Sequence, residues 1–114
     1  VGPCTFGVYV GAVTSLAVGT WSRTAMLGLI LGRDARGVFA FSATCTHSGC
    51  VVGAPDTSGN MVCACHGSRF DGAGRVLNGP AREPLQHYRV RICAGRVRVD
   101  RGEFVADTDR TPVT

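Results

Sequence analysis

The chain has 114 residues, a formal net charge of +4, 16 glycines and only 7% aromatic residues. That length makes one domain of ordinary size, and this composition favours short strands and tight turns over long helices. The longest apolar stretch, residues 25–31, is broken by Gly28, so no segment reaches the roughly 18 apolar residues of a membrane-spanning helix. Residue 1 is Val rather than Met. That reads as a mature or trimmed product, with any export signal or membrane anchor upstream of view.

In chain order, residues 8–13 alternate and are rich in β-branched side chains, which predicts an opening strand. Residues 15–19 read as a turn. Residues 20–24 and 25–32 read as two further strands, and 33–37 as the hairpin loop before a strand at 38–42. Residues 44–84 differ. They are dense in Gly, Cys, His and Pro and show little periodicity, so they are predicted to form a loop-built insert held by something other than a hydrophobic core. Residues 88–93, a turn at Ala94-Gly95 and residues 96–99 make a second hairpin. The tail 101–114 is polar and predicted to be partly loose. No window sustains a helical apolar stripe. The expectation is a single all-β domain: an antiparallel sandwich or barrel base (1–43 and 85–114) with an inserted loop-rich subdomain at about 44–84.

All 12 basic residues are Arg, and Arg82, Arg89, Arg91, Arg96, Arg98 and Arg101 fall in one short stretch. A basic patch for an acidic partner or nucleic acid is one reading. The alternation Arg89-Val90-Arg91-Ile92 favours the other, the solvated face of a half-buried hairpin, so no nucleic-acid partner is expected.

Six cysteines are many for a cytosolic chain without a metal or redox purpose. Four lie between 45 and 65, interleaved with two histidines, in Cys45-Thr46-His47-Ser48-Gly49-Cys50 and Cys63-Ala64-Cys65-His66-Gly67-Ser68. As ligand spacing these are Cys-x-His and Cys-x-x-His, one thiolate and one imidazole per loop. Structural zinc accepts two Cys and two His, but the usual zinc arms carry like ligands. A [2Fe–2S] centre with two Cys on one iron and two His on the other takes one ligand from each mixed arm per iron, and fits the spacing better.

The two segments together resemble the Rieske proteins. More narrowly they are similar to the high-potential branch, that of cytochrome bc-type quinol-oxidising complexes and arsenite-oxidase small subunits. Gly79-Pro80-Ala81 is similar to the proline loop that covers the cluster there. The resemblance is specific over about 43–85 and generic elsewhere. It implies that Cys45 and Cys63 bind the buried iron, that His47 and His66 bind the outer iron, and that Cys50 and Cys65 form a disulfide between the loops. It implies a serine, Ser68, whose hydroxyl is directed at a bridging sulfide. Phe70 stands where that branch commonly has tyrosine, so one hydrogen-bond donor is missing and a potential below the Ser-plus-Tyr versions is expected. Neutral imidazoles in place of two thiolates leave the oxidised centre formally neutral, which is why such centres span about −150 to +300 mV rather than the roughly −400 mV of plant-type ferredoxins. Partners implied are redox proteins, cytochromes b and c among them, and quinol. The disulfide and the resemblance favour the periplasmic or outer face of a membrane.

Cys4 and Cys93 remain. They read either as a second disulfide or as two separate small residues. His87 reads as a packed or surface histidine rather than a ligand, and Asp71 as the cap of the turn at Gly72. The chain has no room for a mononuclear iron site or a substrate pocket, so by itself it reads as an electron carrier rather than an enzyme. A Rieske ferredoxin-like carrier or an arsenite-oxidase-type small subunit is the alternative. A structural zinc module for binding a partner is the remote one.

Overall fold

The structure, a computed structural model, describes residues 5–46 and 49–113. Among the described residues there are nine strands. β1 (Val8–Ala12), β2 (Thr20–Thr24), β3 (Leu29–Asp34) and β4 (Gly37–Ser42) precede the cysteine-rich segment. That segment holds β5 (Met61–Val62), β6 (Arg69–Phe70) and β7 (Val76–Asn78). β8 (His87–Cys93) and β9 (Arg96–Val105) follow. A curled six-stranded antiparallel sheet runs β1-β9-β8-β4-β3-β2, and a three-stranded sheet runs β5-β6-β7. This is the expected all-β architecture.

The strands at the centre of the large sheet explain how the two sheets meet. Side chains alternate across a strand. On β3 and β4, Leu29, Leu31, Val38 and Ala40 face one apolar cluster with Val90, Val97 and Val99, while Ile30, Phe39 and Phe41 face a second. Both faces are therefore buried, and these strands read in sequence as continuous apolar runs rather than alternating ones. Gly32 is required on β3, because a Cβ there would sit 2.2 Å from the Phe39 ring.

Four expectations are corrected. Residues 25–32 are not one strand: Ala25–Leu27 form a short 3-10 turn and β3 begins at Leu29, with Gly28 at φ 65 breaking the extension. The opening strand likewise ends at Ala12, and Val13–Ser15 form a 3-10 turn. The polar tail is not loose. β9 runs to Val105, Thr111 pairs with Val38, and Arg110 binds Asp34 at 2.6 Å while stacking on Phe39 at 3.9 Å. Its polarity reflects ion pairing and half-burial rather than disorder. Finally, the segment around β5–β7 does share a hydrophobic core. Val52, Met61, Phe70, Ala81 and Leu85 bury against Ile30, Phe39 and Phe41. These apolar residues are too widely spaced in sequence to show a period, yet they converge in space.

Of the clustered arginines, Arg89, Arg91, Arg96, Arg98 and Arg101 lie on β8 and β9, as the hairpin reading expects, and Arg82 precedes β8. Arg89 pairs with Glu103 and Asp109, Arg91 and Arg96 lie over Phe6 and Tyr9, and Arg98 donates to the Phe6 and Gly7 carbonyls. The hairpin turns at Ala94-Gly95, with φ 53 and 73.

Candidate metal centre

Two loops of the cysteine-rich segment are built on one backbone plan. In the first, Cys45 N–H donates to the Cys50 carbonyl (2.7 Å) and Gly49 N–H to the Cys45 carbonyl (2.9 Å). In the second, Cys63 N–H donates to Ser68 (2.8 Å) and Gly67 N–H to Cys63 (2.8 Å). Gly49 and Gly67 take φ of 76 and 79, a left-handed conformation that side chains resist. Each loop thus closes tightly around its first cysteine.

The loops are joined by a disulfide between Cys50 and Cys65, with Cα atoms 6.4 Å apart. The Cys63 sulfur lies within 4.8 Å of both disulfide sulfurs. Cys45 and Cys63 are buried (2% and 1% exposed) in the same apolar cluster as Met61 and Phe70, whereas His66 is exposed. His47 lies outside the described residues. The donor set fits a compact cluster bound with two thiolates inward and imidazole outward, and a bare tetrahedral ion would not call for that division of burial. Cys50 and Cys65 are bonded to each other, and Cys45 and Cys63 are the candidate thiolate donors.

Ser68 is fully buried, and its hydroxyl oxygen accepts the Ala81 N–H at 3.0 Å. This ties the second loop to Gly79-Pro80-Ala81, where the Gly79–Pro80 peptide is cis. Phe70 is fully buried on β6. Asp71 caps the next turn as expected, its Oδ1 accepting from Ala73 N–H (2.8 Å) and Arg75 N–H (2.9 Å). Cys93, at the end of β8, is disulfide-bonded. Cys4, the partner in the disulfide reading of the sequence, lies outside the described residues.

Several supports were not singled out from sequence. Arg23 on β2 donates to the Val52 carbonyl (3.0 Å), and Thr46 Oγ1 to the Glu83 carbonyl (2.6 Å). The latter links the first loop to the chain beyond the proline loop. Nothing in local sequence marks either, since each partner is remote along the chain.

The fold and this site define an iron–sulfur electron-transfer domain. The family model for the Rieske [2Fe-2S] domain matches residues 8–89, and the chain belongs to that family. Its cofactor is a [2Fe–2S] cluster and its chemistry is one-electron transfer. Among curated proteins, the chain is similar to the cytochrome b6-f complex iron-sulfur subunit of Synechococcus sp. (strain CC9605), 43% identical over 53 residues, covering 46% of this chain and 30% of that one. The chain therefore spans about a third of the length of such relatives. Among solved structures, the plasma membrane Rieske protein PetC3 of Synechocystis PCC 6803 aligns with a TM-score of 0.59 and 30% identity, over 82% of this chain and 98% of that one. A chain in the complex of reduced oxygenase and oxidized ferredoxin in carbazole 1,9a-dioxygenase aligns with a TM-score of 0.63 and 28% identity, over 87% of this chain and 95% of that one.

Proposed function

We propose that this chain is a high-potential one-electron carrier. It works on the extracytoplasmic side of a membrane as the soluble or tethered Rieske domain of a quinol-oxidising or related respiratory oxidoreductase. The observation that carries the proposal is the pair of matched loops bridged by Cys50 and Cys65 over the buried Cys45 and Cys63. In this reading the cluster-bearing part is about 44–84, and 1–43 with 85–114 form its base. Cys45 and Cys63 would hold the inner iron, His47 and His66 the outer. When bound, the cluster supplies a one-electron couple of higher potential than a four-thiolate centre.

The chain's own residues do the rest. The apolar surroundings of Cys45 and Cys63 exclude water from the inner side. His66 faces solvent, so electrons leave and enter on the side where a partner or quinol docks. Ser68 accepts from Ala81 and keeps its own proton to donate towards a sulfide. A disulfide at the site supports an oxidising compartment. Relatives named as cytochrome b6-f complex subunits support cytochromes as partners, and quinol is proposed from the resemblance to quinol-oxidising complexes. No helix among the described residues is long and apolar enough to cross a membrane, so attachment would come from an anchor or a complex.

The second reading is a ferredoxin-like carrier. It is favoured by the likeness to a chain of the ferredoxin–oxygenase complex, 95% of which this chain covers. Redox titration of the purified holoprotein separates the two. A midpoint in the upper part of the range of about −150 to +300 mV supports the high-potential reading, and one near its lower end supports the ferredoxin. A red-brown protein whose reduced form has an EPR signal of low average g establishes the cluster. A colourless zinc protein would refute both.

A further inference from the structure

β6 and β7 form a hairpin whose two ends do different work. At its open end, one strand follows Ser68 and the other leads to Gly79-Pro80-Ala81, and these meet in the Ala81 N–H to Ser68 Oγ bond of 3.0 Å. At its closed end, the turn 71–75 satisfies most of its polar groups internally, through Asp71 Oδ1 and the Gly74 N–H to Asp71 carbonyl bond. Two consecutive carbonyls, Gly72 and Ala73, take their donors from the large sheet. Trp21 Nε1–H on β2 donates to Gly72 at 2.8 Å, and His87 Nε2 on β8 lies 2.5 Å from the Ala73 oxygen.

A carbonyl only accepts, so His87 must carry its proton on Nε2. Its Nδ1 is then a buried acceptor with no hydrogen-bond partner among the described residues. Leaving that atom unpaired costs free energy, so the site keeps histidine for what the other nitrogen does. The ring is 2% exposed and held by Phe41, with centroids 4.9 Å apart and planes 24° apart. The Trp21 indole is seated just as closely. A Cβ on either Gly59 or Gly72 would lie 2.5 Å from it, so both loops approach the ring only because they are glycine there.

We propose that Trp21 and His87 are positioning residues: a twin ring N–H clamp that pins the closed end of the β6–β7 hairpin to the large sheet and thereby sets where Ser68 and Ala81 stand over the cluster. The inference rests on the cluster reading for its electrochemical readout, but the clamp itself is testable without it.

Trp21→Phe and His87→Leu each remove one donor, and His87→Gln keeps an N–H. On cluster-loaded protein, Trp21→Phe and His87→Leu are expected to lower the midpoint potential and shift the reduced-state g values, with His87→Gln near the parent. Hydrogen exchange of the segment 79–83 is expected to become severalfold faster in the first two variants. In a Ser68→Ala background the potential shift of either variant is expected to vanish, because the clamp acts through that hydroxyl. Unchanged potential and exchange, or a shift that adds in full to Ser68→Ala, would overturn the proposal. If a variant loses its cluster, the exchange of 79–83 in the remaining variants decides it. If the parent itself gives no low-average-g signal, the cluster reading fails, and the exchange result alone decides the clamp.

Discussion

Loops 45–50 and 63–68 share two backbone hydrogen bonds and a left-handed glycine, and differ in what their last residue does. In each, the first cysteine donates to the carbonyl five residues on and accepts from a left-handed glycine four residues on. At the fifth position one loop has Cys50 and the other Ser68. Cys50 is spent on a covalent link across to Cys65, while Ser68 holds the Ala81 amide. The supports differ too. The first loop hangs from the large sheet through the Val52 N–H to Ala43 carbonyl bond and the Thr44–Val51 bridge. The second sits between β5 and β6 of the small sheet. The two loops thus share a frame, and the second ends on a buried hydroxyl where the first ends on a disulfide.

The largest effect that could break this comparison is on the link itself. Replacing Cys50 and Cys65 together by Ala releases a closure of sequence separation 15, worth about 3 kcal/mol in the chain-entropy account. Denaturant titration should show that loss, with the cluster bleached at lower denaturant. An unchanged midpoint would mean that the two sheets alone hold the loops. Next come the matched glycines. Gly49→Ala and Gly67→Ala meet no atom within 4 Å, so only the backbone conformation is penalised. Each should cost about 1–2 kcal/mol, and by similar amounts if the plan is shared. A large inequality in thermal melts would show that the loops are alike only in outline.

Acid provides a third probe, at the far end of the hairpin. Burial holds the His87 imidazole below its ordinary value of 6.5, against the Ala73 carbonyl and Asp107, which raise it; Arg110 and Arg75 add to the lowering. The unfolded chain therefore takes up this proton first as pH falls. The contribution is complete above about pH 6.5 and is lost as pH drops from there towards the folded value. Stability of the parent minus that of His87→Gln, followed from pH 7 to 5, should fall with pH. A flat difference would show that the ring titrates alike in both states.

The smallest effects concern tuning. Ser68→Ala should lower the midpoint potential by something on the order of tens of millivolts, while the equivalent change in the first loop has no such hydroxyl to remove. Phe70→Tyr should raise the potential by a smaller amount of the same order, provided the fully buried ring site admits the hydroxyl. Redox titration with EPR checks both, and no upward shift in a correctly folded Phe70→Tyr protein would end the explanation based on a missing donor.

Much of the site was legible because its chemistry is local. Each loop carries its cysteine, histidine and glycine within a few residues, and Cys50, Cys65 and Ser68 sit beside them. Strand positions on either side were legible from β-branched residues and turn glycines. What escaped was long-range. The β9 extension depends on pairing with β8, and the ordered tail on Arg110 reaching Asp34. The core around the two cysteine loops depends on single apolar residues such as Val52, Met61 and Leu85 that share no period.

By itself the sequence determined the cysteine and histidine pattern, its mixed spacing and an all-β frame, since these follow from residue identity and short-range pattern. Only the tertiary structure decided that the two loops face each other with thiols inward and His66 outward. It alone brought Trp21 and His87, 66 residues apart by numbering, onto neighbouring carbonyls of one turn. Such contacts come from curling the large sheet against the small one, and that packing leaves no trace in the spacing of the residues it unites.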